Sequence, residues 1–231
     1  MSLPRTVIIS CAGEGRRLGL SKTKALVDVL GMPLIGRHLQ MLRYVEDIRI
    51  VVGFQAIDVI DYVNTIRRDI VFVFNDDYTT TGTAESVSRA SMGLKGSVVS
   101  LDGDLLVHPA DFELVFNWEN PCLGVLPTTS DDPVQVQIDR RSGIDQAIGF
   151  SRGSGDMEWS GLFKAPVSFV DQAREAGLSS GHVYQMLEQS LPMQALPIRA
   201  REIDTPADYD RAMAWIKPII HHWDRENGIK Y

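Results

Sequence analysis

Residues 7–24 read VIISCAGEGRRLGLSKTK, and the residue types along this stretch are those that handle phosphate. Gly13 and Gly15 let a backbone turn sharply and approach a ligand, because a residue without Cβ tolerates positive φ and leaves its N–H groups open. Arg16, Arg17, Lys22 and Lys24 follow at once and supply full positive charges to offset a polyphosphate. Two familiar phosphate motifs are excluded. A dinucleotide fingerprint needs a third glycine where this chain has Leu18, and no G-x-x-x-x-G-K-[ST] occurs anywhere.

A second charged constellation is Asp102-Gly103-Asp104. Two carboxylates two residues apart on an extended segment point the same way, and the glycine between them leaves room for a ligand. Such a pair is costly unless a cation offsets it. It therefore reads either as part of a site for a hard ion such as Mg²⁺ or as a solvated acidic turn. Asp204-Thr205-Pro206 is a helix start, with the helix running from Pro206 to Ile216. Asn75 to Ser86 is a polar run with Gly82 and Thr83 leading into a helix. It offers amides and hydroxyls to a base edge or a phosphate, or is simply a capped loop. Farther on, Arg152 is suited to clamp an acceptor phosphate and Trp159 to stack on a quaternary ammonium group, against the plainer readings of a solvated arginine and a core tryptophan. His221-His222-Trp223 reads as an exposed helix end, with no third ligand to make a metal site.

The elements that must position these groups alternate. Val7 to Ile9, Ile48 to Val52, Ile70 to Phe74 and Val98 to Leu101 are strand-like, and the first lacks the polar alternation of a half-solvated strand. Between them Leu34 to Val45, the segment after Phe54 and Glu85 to Leu94 carry apolar residues at helical spacing. This pattern predicts a single-domain, Rossmann-like α/β fold of three layers, with a mostly parallel mixed sheet between helices. Ligands then sit beyond the carboxyl ends of the strands, where both the glycine turn and the acidic pair fall. Short strand-like runs such as Gln135 to Ile138 occupy the later part of the chain. The expected division is a first half over about 1–115 and a second over about 116–205, which the resemblance described below makes nucleotide-binding and acceptor-binding, and a C-terminal helix over 206–231.

Composition narrows the classes. With 231 residues and 44% hydrophobic content the chain can bury one sizeable core. A net charge of −7 argues against nucleic acid as a partner, since that affinity needs a broad basic face. The absence of a long apolar run argues against a membrane and for the cytoplasm. Cys11 and Cys122 form no disulfide framework or metal spacing and read as small buried hydrophobes.

The segment Ala12 to Ile35, AGEGRRLGLSKTKALVDVLGMPLI, resembles the signature of nucleotidyltransferases that join a nucleoside triphosphate to a phosphorylated sugar or alcohol. The family pattern is A-G-x-G-x-R-[LM], a spacer, P-K-x-L, then G-K-P-L-[IL]. The resemblance places the family arginine on Arg17 and the lysine on Lys24, with Ala12, Gly13 and Gly15 against the nucleotide. It makes Asp104 and Asp204, the latter in an "IDTP" stretch, the Mg²⁺ ligands, with Asp102 close by in a supporting role. It also implies in-line attack on the α-phosphorus, with Lys24 offsetting charge there and Arg17 stabilising the departing pyrophosphate. TGTAESV is similar to the LGTxHA stretch of uridylyltransferases, so Gly82 and Thr83 would read the base. VVGFQAIDVIDYV and VFNDDY look like short cytidylyltransferases acting on phosphocholine or aminoalkyl phosphonates. Both comparisons imply a pyrimidine triphosphate and a small phosphorylated acceptor as partners. Thr23 stands where the pattern has proline and is expected to loosen the loop, because proline would have fixed φ. Met32 replaces the lysine of G-K-P. These two departures are what a non-catalytic nucleotide-binding module of the same fold would show.

Overall fold

Val7, Ile8 and Ile9 are fully buried, and they form the middle of β1 (Arg5–Cys11) in the computed structural model, which describes residues 4–19 and 22–220. Residues 221–223, read above as a helix end, lie outside the described residues. From β1 the chain passes two short 3₁₀ turns, Arg16–Leu18 and Lys24–Leu26, and then forms α1 (Leu34–Met41), β2 (Asp47–Val52), α2 (Ala56–Asn64), β3 (Val71–Phe74), α3 (Thr83–Ser91) and β4 (Ser97–Asp102). It continues as β5 (Leu105–Val107), α4 (Pro109–Asn117), β6 (Cys122–Leu126), β7 (Gln135–Asp139), β8 (Gln146–Ser151) and β9 (Met157–Pro166). The last elements are α5 (Val167–Glu175), α6 (Val183–Glu188), β10 (Met193–Pro197), β11 (Ala200–Glu202) and α7 (Pro206–Ile216).

Nine strands join in one sheet of order β3-β2-β1-β4-β9-β6-β10-β8-β7, and β5 pairs with β11 apart from it. The α/β architecture is the expected one, and β3-β2-β1-β4 run parallel. Beyond β4 the sheet changes character, because β9 lies antiparallel between β4 and β6 and β7 pairs antiparallel with β8. For β7 and β8 the reason lies in the link: only a short segment joins them, and a parallel neighbour would need a crossover of a dozen or more residues.

Alternate residues of β1 serve opposite faces, as a strand requires. Val7, Ile9 and Cys11 meet Leu39 of α1, Val59 of α2 and Phe112 and Val115 of α4. Ile8 and Ala12 meet Val87 of α3, Val170 of α5 and Met186 of α6 on the other side. Helices thus cover both faces of the sheet, in three layers. A third cluster joins Leu18, Val27, Val29 and Leu34 to Leu106, Ile203, Ala212 and Ile216, so the segment after the glycine turn is docked on α7 and on the β5–β11 pair. α7 begins as expected, with Thr205 and Asp208 in a reciprocal capping box.

The segment between Lys24 and α1 is held by Arg37, which is 3% exposed. Its guanidinium donates to the carbonyls of Val29 (2.9 Å) and Leu30 (3.0 Å), across a turn in which Leu30 has φ 53° and Gly31 φ 85°. Arg37→Met strips charged donors from buried carbonyls and is expected to cost about 2–3 kcal/mol, measurable by urea unfolding. Next to it, His38 is buried and its Nε2 bonds the carbonyl of Leu105 at 2.8 Å. Burial lowers this imidazole to about 4, against the partly opposing pull of the Leu105 carbonyl and Asp104. The folded value lies below the ordinary 6.5, so the contribution to stability is complete above pH 6.5 and is lost as pH falls toward 4. The expected loss is at most about 3 kcal/mol. Urea unfolding across that window should show a flatter profile for His38→Gln.

Candidate active site

The carboxyl ends of β1 and β4, together with the end of β11, open on one cleft of about 460 Å³. Gly15 turns with φ 62°, and a Cβ there would stand 2.8 Å from Cγ of Lys24, so this glycine also seats the lysine. Gly103 donates its N–H to the carbonyl of Ser10, and a Cβ would lie 2.5 Å from that oxygen. Its small size therefore serves the close approach of the acidic turn to β1, rather than room for a ligand.

The Lys24 ammonium lies between two carboxylates, donating to Asp104 Oδ2 at 2.7 Å and to Asp204 Oδ1. Arg17 reaches the other oxygen of Asp204 at 2.6 Å, although its side chain is 68% exposed. Residues 17, 24, 104 and 204 are thus brought together from three parts of the chain. Burial works against the charge on Lys24, but Asp104 and Asp204 outweigh it and raise the ammonium above its ordinary range. Lys22 is exposed and does not line the cleft.

Glu202, which the sequence reading missed, completes the acidic group. One ligand atom each from Asp104, Glu202 and Asp204 lie within 4.8 Å of one another. The residue is open to the cleft, yet its carboxyl is hemmed in by protein. That desolvation, followed by the charges of Asp104, Asp204 and Asp102, pushes it up to about 8. Glu202-Ile203-Asp204 repeats the two-apart spacing of Asp102-Gly103-Asp104, which is the signal that would have found it. Asp102 ends β4 with Oδ1 enclosed and unpartnered among the described residues. Burial and then the charge of Asp104 push it up to about 8. Cys11, just beneath, is raised well above the thiol range by burial and by Asp104 and Asp102, which suits a buried structural residue.

Of the other nucleotide-side candidates, Gly13 and Thr83 line the cleft. Ala12 and Gly82 do not. Ala12 is buried, with its carbonyl accepting from Phe54 N–H at 2.9 Å. Gly82 donates its N–H to Ser180 and lies so close to Gly181 that any side chain would collide with it. Much of the polar run around it is tied internally: Asn75 bonds Thr81 and Ser86, and Asp77 pairs with Arg89. Met32 lies outside the cleft, so its replacement of a lysine removes no charge from the lining. Thr23 is 1% exposed and its N–H donates to Gln55 Oε1 at 2.8 Å. The loop is therefore held there by a hydrogen bond, where loosening was expected.

On the far side, Trp159 is half-buried between Phe150 and Phe163, and Arg152 pairs with Asp132 at 2.8 Å with its guanidinium 5.9 Å over the Tyr184 ring. Both line the cleft. Glu158 accepts from the N–H of Thr129 and from Ser130, which holds Asp131 and Asp132 at the rim. Glu158, Tyr184 and His182 also line this side and carried no signal in the sequence.

The sequence profile of the MobA-like NTP transferase domain matches residues 7–184, more than half of the chain. The chain belongs to that NTP transferase family. The reading of residues 12–35 as a nucleotidyltransferase signature is borne out, and with it a transferase. Curated relatives agree over part of the chain. The bifunctional protein GlmU of Methanococcus maripaludis is 31% identical over 117 residues, 49% of this chain and 28% of that protein. GlmU of Neisseria meningitidis serogroup B is 26% identical over 151 residues, 64% of this chain and 31% of that protein. The match thus spans about a third or less of these relatives. Among solved structures, the inositol-1-phosphate CTP transferase from T. maritima superimposes with a TM-score of 0.77 at 18% identity, covering 94% of this chain and 97% of that one. The CTP:phosphocholine cytidylyltransferase from Streptococcus pneumoniae gives 0.72 at 21% identity, covering 93% and 100%. At these identities the likeness shows a shared fold.

Proposed function

We propose that this transferase moves a nucleoside monophosphate from a pyrimidine triphosphate to a small phosphorylated acceptor and releases pyrophosphate. The observation that carries the reading is the convergence of Lys24, Arg17, Asp104, Glu202 and Asp204 at the strand ends of an NTP transferase domain. The acceptor oxygen attacks the α-phosphorus, the α–β phosphoanhydride bond breaks, and the electron pair leaves with pyrophosphate. No covalent enzyme intermediate is required, so rate comes from positioning and charge neutralisation. Lys24 offsets charge at the reacting phosphorus, and Arg17, exposed at the rim, meets the departing pyrophosphate. Gly13, Gly15, Thr83 and Asp102 frame the nucleotide.

The donors fit a hard divalent ion. Three carboxylates converge, and a cation, the Lys24 ammonium, is already held between two of them. Mg²⁺ bound by Asp104, Asp204 and Glu202 would supply Lewis-acid polarisation of the α-phosphate.

Arg152 and Trp159 then belong to the acceptor side. The Trp159 ring, with Asp131, Asp132 and Glu158 in the same lining, favours an acceptor with a cationic head, such as phosphocholine or an aminoalkyl phosphonate, and hence CTP. The test is divalent-dependent pyrophosphate release from CTP, UTP, dTTP, ATP and GTP, with phosphocholine, an aminoalkyl phosphonate and sugar 1-phosphates as acceptors. Release with CTP and a cationic acceptor is expected. Nucleotide binding without release across the whole panel would overturn the reading in favour of a non-catalytic module.

A further inference from the structure

Two adjacent residues at the β2–α2 junction hold both ends of the phosphate segment. Phe54 N–H donates to the carbonyl of Ala12, where that segment begins, and Gln55 Oε1 accepts from the N–H of Thr23, where it ends. Thr23 in turn sets the place of Lys24. Its carbonyl accepts from Leu26 N–H at 3.0 Å and so starts the turn Lys24–Leu26 that carries the lysine backbone. The Thr23 amide is therefore the last fixed point before the ammonium that bridges Asp104 and Asp204.

Gln55 occupies this place at a cost. Its backbone has φ 51° and ψ 39°, the left-handed region that disfavours a glutamine by about 1–2 kcal/mol. Glycine would take this conformation without that cost, and what distinguishes Gln55 from glycine here is its side chain. Here the long side chain crosses from the head of α2 to the end of a segment 32 positions earlier.

We propose that Gln55 is a positioning residue for Lys24, acting through the Thr23 amide. It fixes the turn that carries the lysine and thereby sets the ammonium against the reacting phosphate. This inference rests on the nucleotidyl-transfer reading of the site. Its own content is separable, because the latch exists whether or not the cleft turns over nucleotide.

The backbone of Thr23, φ −58° and ψ 137°, is one that proline adopts without strain, and proline has no N–H to latch. That permits a closed test. Gln55→Asn keeps a residue suited to the left-handed region and shortens the amide out of reach of Thr23. In the Thr23 background it is expected to lower kcat about tenfold with little change in KM for the triphosphate, as a displaced catalytic group does. In the Thr23→Pro background, where the ring holds φ and there is no donor to lose, the same substitution is expected to cost less than about twofold. Hydrogen exchange at the Thr23 amide, read by NMR on the full chain, should accelerate in Gln55→Asn. Equal losses in the two backgrounds, or no loss in the first, overturn the positioning role, and unchanged exchange overturns the latch. Faster exchange in Gln55→Asn, together with a wild-type chain that releases no pyrophosphate with any nucleotide, sinks the transfer reading and leaves the latch standing.

Discussion

Lys24→Ala is expected to lower pyrophosphate release by about 10² to 10³, the loss seen when a preorganised charge is removed from a developing anion. Two facts make this lysine a strong candidate for so large an effect. It is the cation that lies deepest in the cleft, with a side chain 16% exposed, and its ammonium bonds both Asp104 and Asp204. Removing it also leaves those two carboxylates facing each other and Glu202 uncompensated. Mn²⁺ titrated into the nucleotide-free protein, followed by its paramagnetic signal, should therefore bind more tightly to Lys24→Ala than to wild type. Lys22→Ala is the control. It is exposed and outside the lining, and its rate should change less than about threefold because surface charges are weakly coupled to the site. A Lys24→Ala enzyme with near-normal turnover would remove the lysine from the mechanism.

Asp204→Ala is expected to lose about 10³ in rate or more, matching the several kcal/mol that a Lewis acid contributes, and chelation of divalent ions should reproduce the loss in wild type. Asp204 is singled out from its neighbours by its partners. It is 6% exposed and accepts from Lys24 through one oxygen and from Arg17 through the other. The substitution thus takes a partner from two cations as well as removing a ligand. Rates measured against Mg²⁺ concentration separate these effects. If Asp204 ligates the ion, the half-saturating concentration rises by at least about tenfold, and an unchanged value would assign the whole loss to Lys24 and Arg17. Asp104→Ala should show the same rise while taking a partner from Lys24 alone, since Arg17 pairs with Asp204.

Local pattern carried a good deal of this site. The glycine turn, Arg17, Lys24 and Asp104 sit within short motifs whose residue types have a direct physical use. The helix from Pro206 to Ile216 was legible for the same reason, because proline at a first turn and an acidic capping partner act within a few residues. Glu202 was missed although its spacing from Asp204 offered the cue, since a Glu-x-Asp pair has no meaning until β11 pairs with β5 and brings it beside Asp104. Gly82 shows the opposite error: a glycine in a polar run suggested a base contact, and the fold uses it to pass close to Gly181.

The sequence by itself determined the alternating strands and helices of the first half, the family and the charged residues of the site, because hydrophobic period, turn chemistry and motif spacing act over a few residues. Only the tertiary structure decided that Lys24 bridges Asp104 and Asp204, residues 80 and 180 positions away, and that Gln55 holds the amide before it. It also decided the antiparallel course of β9 and the aromatic and acidic wall around Trp159. These are long-range contacts. They depend on which strand ends meet across the sheet, and side-chain types along the chain do not encode that choice locally.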